Sequence, residues 1–266
     1  MNDSEFSGPV KNVLRNIVLC AGEPFLPSDD VVHLFYRYLI SVTSSWIMKF
    51  KKVDLNLEGV VHVLRHQPRK LNVVFNYFRI LSGASDMRLV EEDDISLGSS
   101  QSEPALNRLS ELCKTLDITL PTDRPVPSPN SPFAKGRKLR LVRIDRKISY
   151  MSVEEYLDFT RLRQTASFLS LVKSGSLATF RGLVQHCEKR TEHQSAKMRP
   201  VQTSYPGKED RVGLSLLAHL ITDDILDLID IVLYLRQKLG IELSSPLTPI
   251  EIKQGVQRLQ SLPSSS

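Results

Sequence analysis

Residues 214–239 read LSLLAHLITDDILDLIDIVLYLRQKL, and Gly240 follows. The run carries helix-forming residues throughout, and its apolar side chains cover more than one face. A helix of that kind has to be buried on at least two sides. Gly240 supplies the left-handed cap that ends it. A second helix comes soon after, in LTPIEIKQGVQRLQ at 247–260. There Thr248 is the N-cap, Pro249 takes the first helical position, and Glu251 reaches back to the Thr248 N–H. This capping box opens a short helix with apolar positions Ile252, Val256 and Leu259.

The other end of the chain has the same layout. Val10, Val13, Leu14, Ile17 and Val18 fall at helical spacing over 10–19, and Gly22, Pro24 and Pro27 break the run. Ser28 caps a long helix reaching Phe50, with Asp29 and Asp30 in the first turn, where the helix dipole favours negative charge. A short extended piece, KKVDL, follows. Asn56 then caps a short helix through Val60, Val61, Val63 and Leu64, Pro68 interrupts, and RKLNVVFNYFRIL forms a further helix closing near Leu81. In the second half, MSVEEYLDFTRLRQTASFLSLV is helical in pattern, 174–187 reads as another helix, and 188–208 as a loop before the long helix. The two ends thus repeat an architecture: medium helix, loop, long buried helix, short capped helix. One such unit cannot cover its own long helix. Two units packed head to tail can, with the long helices crossing, and a chain carrying both forms the pair internally. An ordinary all-α bundle is the competing expectation.

The stretch between the two ends differs. Residues 83–134 include EEDD, SLGSSQSE and TDRPVPSPNSP, which reads as an acidic, Ser/Pro-rich linker, largely disordered, with ALNRLSELCKTL as a short helix docked from within it. Residues 135–149 form a basic connector carrying Lys135, Arg137, Lys138, Arg140, Arg143, Arg146 and Lys147 against the single acid Asp145. The expected division is a first unit at 8–82, the linker at 83–134, the connector at 135–149 and a second unit at 150–262. The connector has three readings: a nuclear-localisation or nucleic-acid patch, a lining against acidic neighbours, or a solvated connector. The net charge of +5 permits an acidic partner without demanding one.

Composition and motifs narrow the function. Cys20, Cys113 and Cys187 are far apart and match no zinc spacing, so a reducing compartment without a disulfide framework is expected. The N-terminus does not read as a signal peptide, and no apolar run is long enough to span a bilayer, so no membrane role is expected. His62 and His66 are four apart, but Pro68 follows and no acidic third ligand is fixed nearby, so no metal is expected. His186 and Cys187 are adjacent and point to different helix faces, which does not support a catalytic dyad. No GxxxxGK[ST], GxGxxG or GxSxG motif occurs. The expectation is no enzyme, no cofactor and no small-molecule substrate. Because the long helices are poor in Lys and Arg, protein partners are favoured over DNA, whose direct contact is secondary.

Several segments resemble a known family. VVHLFYRYLISVTSSWI and LEGVVHVLRHQPRKLNVVFNYF resemble the second and third helices of a histone fold. LSLLAHLITDDILDLIDIVLYLRQ and LTPIEIKQGVQRL resemble the long and final helices of another. Together these segments, which skip the linker and cover about two thirds of the chain, are similar to the suppressor-of-Ty three family, the double-histone-fold subunit of the SAGA transcription coactivator. The most specific piece is the hydrophobic-Arg-x-x-Pro-Arg-Lys-Leu segment from Leu64 to Leu71. Tyr156, Phe159, Arg163, Gln164 and Phe168 resemble the family's Tyr-x-x-Phe…Arg-Gln…Phe stretch with one residue inserted, and Phe180-Arg181 its Phe-Arg pair. The first helix departs from the family's methionine-rich sequence and reads VLRNIVLCAGEPF. The resemblance implies two histone folds packed as an intramolecular head-to-tail pair, in a nuclear, non-enzymatic coactivator subunit that contacts the TATA-binding protein and supports RNA polymerase II initiation. It implies Asp223, with Asp224 beside it, as the contact; a merely solvated acidic face is the other reading of the pair. Its other partners would be further subunits of a SAGA-like complex. The alternatives are a TFIID-like or other nuclear histone-fold subunit binding DNA or chromatin, and a helical cytoplasmic adaptor.

Overall fold

The structure, a computed structural model, describes residues 3–51, 53–88, 102–118, 130–173, 176–195 and 210–262. Among these the chain is all-helical, with no strand. In chain order the helices are α1 (Asp3–Cys20), α2 (Asp29–Phe50), α3 (Leu57–Leu64), α4 (Pro68–Arg88), α5 (Ser102–Thr115), α6 (Pro132–Ser149), α7 (Val153–Thr165), α8 (Phe168–Lys173), α9 (Leu177–Ser195), α10 (Arg211–Leu239) and α11 (Pro249–Ser261).

Local chemistry sets most of the boundaries. Ser28 accepts from the Val31 N–H at the start of α2, and Asn56 from the Gly59 N–H at the start of α3. Both halves of the Thr248–Glu251 capping box form at α11, and Ser152–Glu155 makes another at α7. Gly240 sits at φ +68°, a left-handed conformation that costs a residue without a Cβ little, and there α10 stops.

Packing is reciprocal between the chain's two ends. α2 lies against α9 and α11 from the second half, and α10 lies against α2, α3 and α4 from the first. One apolar core runs through both, from Phe35, Leu39 and Phe50 on α2 to Leu220, Ile225, Leu228 and Leu233 on α10. Each fully buried side chain of this size contributes about 1.5–3 kcal/mol, so neither long helix is stable with its far side in water. The start of α10 is docked closely: Asp210 donates its N–H to the Leu55 carbonyl at 3.1 Å, and Gly213 lies so near that carbonyl that a Cβ would collide with it.

Several expectations are corrected. The described part of KKVDL forms turns and bends rather than an extended piece. Pro68 does not simply interrupt; it begins α4, where its missing N–H costs nothing. Helix α4 runs past Leu81 to Arg88, and α9 runs through 188–195, where a loop was expected. The docked helix inside the linker is α5, whose Leu109 and Cys113 are buried and which packs on α3 and α4. Part of the expected linker, and 196–208 of the expected loop, lie outside the described residues.

The largest correction concerns 135–149. This stretch is not a solvated connector but the body of α6, packed along α10 with Gly136, Leu139 and Arg143 buried. The two helices approach so closely at Gly136 that a Cβ there would strike the Asp230 backbone. The sequence concealed this because seven of the eighteen residues of α6 are Arg or Lys and they interleave with its apolar residues. The buried face is held by one leucine, one glycine and an arginine whose charge is answered inside the protein.

Candidate functional site

Asp223, Asp224 and Asp227 occupy adjoining positions on α10, one turn apart at most, and Asp230 follows one turn on. All face the join between the halves. Pro68 starts α4 opposite them, so the next two residues, Arg69 and Lys70, project from its first turn. Lys70 Nζ lies 2.5 Å from Asp223 Oδ2, 2.6 Å from Asp224 Oδ1 and 2.9 Å from Asp227 Oδ2. Arg69 pairs with Asp227, and its guanidinium stacks on the Phe133 ring of α6 at 3.9 Å from the centroid. Trp46 of α2 donates its indole N–H to Asp224 Oδ2 at 2.6 Å. Arg140 of α6 pairs with Asp230 at 2.6 Å. Four helices therefore meet on one row of carboxylates.

The electrostatics follow from burial and from the count of charges. Burial works against the charge of Lys70, but Asp224, Asp227 and Asp223 together outweigh it and hold its pKa well above the ordinary lysine value. Asp223 is held below the usual carboxylate range: burial opposes this, and Lys70 and Arg69 prevail. Asp227 goes the other way, raised to about 7 by burial and by its carboxylate neighbours Asp223 and Asp224 despite Lys70 and Arg69. Three carboxylates share two cations here, and the enclosed Asp227 is the one pushed toward its protonated form. Burial first, then the charges of Asp224 and Asp227, also push the Tyr38 phenol upward.

This arrangement corrects one reading of Asp223 and Asp224. They are not a solvated face; their side chains are 23% and 14% exposed and ion-paired across the two halves. Asp223 keeps the more open edge. The Arg69-Lys70 pair stood out in the sequence as part of a motif, but its partner was not readable, because α4 and α10 are separated by more than half the chain. The spacing of Asp223 and Asp227 was a usable signal for a shared helix face.

The seven basic residues of 135–147 divide into two groups. Arg140 holds Asp230. Arg143 lies 2.9 Å from Glu23 and donates to the Ser245 carbonyl at 2.8 Å. Lys147 donates to the Leu19 and Glu23 carbonyls. Lys135, Arg137, Lys138 and Arg146 are exposed. The first three are therefore structural and do not form a patch with the other four. Arg143 belongs to a second buried ionic group that sequence reasoning missed. Arg236 grips Glu251 through two bonds of 2.6 and 2.8 Å and donates to the Ser245 carbonyl at 2.6 Å, while Glu23 accepts the Leu247 N–H at 2.8 Å. Together these latch the α10–α11 loop onto the α1–α2 turn and onto α6.

Compared with protein-family models, with curated proteins and with solved structures, the chain finds no match. Among the described residues, no group of three or more His, Cys, Asp or Glu side chains is placed to hold a metal ion, and no helix is long and apolar enough to cross a membrane. The chemistry on view is ionic and apolar adhesion between helices.

Proposed function

We propose that the chain is a non-enzymatic transcription coactivator subunit with two histone folds in one polypeptide, paired head to tail, that contacts the TATA-binding protein within a SAGA-like nuclear complex. The observation that carries this reading is the reciprocal exchange of helices. The second half's α9 and α11 cover α2, and the first half's α3 and α4 cover α10. A histone-fold pair buries its long helices in this manner. The Arg-x-x-Pro-Arg-Lys-Leu segment adds support, since Pro68 starts α4, Arg69 and Lys70 bind the α10 carboxylates, and Leu71 is buried.

In this reading the open edge of Asp223 contacts a basic surface of the TATA-binding protein, with Lys70 setting the carboxylate's position. Complementary charge of this kind governs partner choice and association rate more than affinity. Purified TATA-binding protein should be retained by the immobilised chain, and Asp223→Asn should weaken retention; because Asp223 also pairs with Lys70, the circular dichroism and urea midpoint of the variant show whether the joint stays closed, and retention is compared under conditions where it does. Retention equal to wild type would remove Asp223 from the contact. Purification of the tagged protein with its associated proteins separates a SAGA-like setting from a TFIID-like one and from a cytoplasmic adaptor.

A further inference from the structure

The face where α6 and α11 pack on the C-terminal part of α10 carries exposed cations without a carboxylate partner among the described residues. Lys135 and Lys138 stand one turn apart on α6, Lys238 on the last turn of α10, and Arg258 on α11, all exposed. None of the four makes an ion pair with a carboxylate among the described residues. The nearby acids of the same helices are sealed beneath: Asp230 under Arg140, and Glu251 under Arg236. Asp145, the one acid of α6, is two turns beyond Lys138.

One of these cations, Lys238, stands over an aromatic side chain of its own helix. Lys238 Nζ lies 4.9 Å from the centroid of the Tyr234 ring. The Tyr234 hydroxyl is held below the usual phenol range, first by its hydrogen bond with Lys238 and then by the charges of Lys238, Lys135 and Arg258. The charge acting on this hydroxyl therefore comes from α6, α10 and α11 together.

We propose that this face binds the phosphate backbone of duplex DNA, with Lys135, Lys138, Lys238 and Arg258 neutralising phosphates and the Tyr234 hydroxyl donating to a phosphate oxygen. The cations sit on three rigid helices, so they span several phosphates rather than enclose one. Single-stranded nucleic acid is disfavoured, because its binding relies on open aromatic platforms, and here the single ring is already covered by Lys238. Contacts of this type fix position on the duplex and carry no sequence information. The proposal stands apart from the contact with the TATA-binding protein, which uses α10 residues at the join of the halves.

The test is fluorescence anisotropy of the full chain with a labelled duplex of about 20 base pairs, titrated at several salt concentrations upward from about 50 mM. Wild type should bind, with log K falling linearly against log salt. The triple variant Lys135→Gln, Lys238→Gln, Arg258→Gln should bind at least about tenfold more weakly at low salt, with the slope flattened by about 2–3, as expected for the loss of three phosphate contacts. Arg146→Gln, at the far end of α6, should bind as wild type does. Circular dichroism of each variant reports folding. Any of four results overturns the proposal: no binding by wild type at low salt, a triple variant equal to wild type, an Arg146→Gln loss as large as the triple's, or a polyglutamate peptide bound more tightly than the duplex through the same three residues.

Discussion

Trp46 and Asp224, 178 residues apart, are joined by a 2.6 Å hydrogen bond from the indole N–H to a carboxylate oxygen. Through it the two long helices touch by polar atoms, and both sides are set by other contacts. The Trp46 ring stacks near Phe50 and carries Lys49 over its face at 4.2 Å, and Asp224 is held by Lys70. Trp46→Phe keeps an aromatic ring and removes the donor. It should cost about 1.5–3 kcal/mol, the range for hydrogen bonds to charged groups, read as a fall in the urea midpoint with an unchanged slope. Trp46→Ala should cost about 3–5 kcal/mol, because it also opens a cavity in the core.

Lys70 is the cation that three carboxylates share. Lys70→Met keeps most of the side chain's length and removes its charge, leaving Asp223, Asp224 and Asp227 with Arg69 alone. A loss of about 3–5 kcal/mol is expected, the range for removing one partner from a buried ionic group. Asp227→Asn in the same background should restore part of it, since it removes one of the unmatched charges. A double-mutant cycle by chemical denaturation gives the coupling, and strict additivity of the two changes would show that the cluster is not a unit.

The raised pKa of Asp227 makes stability depend on pH in a definite direction. A carboxyl with a higher pKa in the folded state binds its proton more tightly there than when unfolded. Below the unfolded value, near 3.9, both states are protonated and there is no difference. As pH rises from there toward the folded value of about 7, the unfolded chain gives up the proton and stability falls; above about 7 the loss is complete. Wild type should therefore show a lower Tm at pH 8 than at pH 5.5, and Asp227→Asn should flatten that slope. A variant whose Tm follows the wild-type pH profile would show that Asp227 does not titrate in this window.

The covering of each long helix by the opposite half predicts the behaviour of fragments. Residues 1–88 alone leave the α9- and α11-facing side of α2 in water, and residues 130–266 alone leave the side of α10 that meets α3 and α4. Each fragment should aggregate or remain unfolded when expressed singly, and the two should be recovered as one folded species when co-expressed. A monomeric, cooperatively melting 1–88 fragment would show that the halves do not depend on each other.

Sequence alone determined what depends on nearest neighbours along the chain. The capping boxes, the Ser28 and Asn56 caps, the Gly240 stop and the apolar girth of α10 are all set within one or two turns, where side chain and backbone meet without help from the fold. Two of the most informative features escaped it for the same reason in reverse. The run at 135–149 reads as a basic connector, with a solvated role as one of its three readings, because its seven basic residues mask its apolar ones, of which Leu139 alone is buried. It is held instead by Gly136 against Asp230, by Arg140 on Asp230 and by Arg143 beside Glu23. Asp223 and Asp224 read as a surface pair because their countercharges, Arg69 and Lys70, lie on a distant helix. Only the tertiary structure brings α4 onto α10, and it is that approach which turns a row of acids into a buried ionic joint.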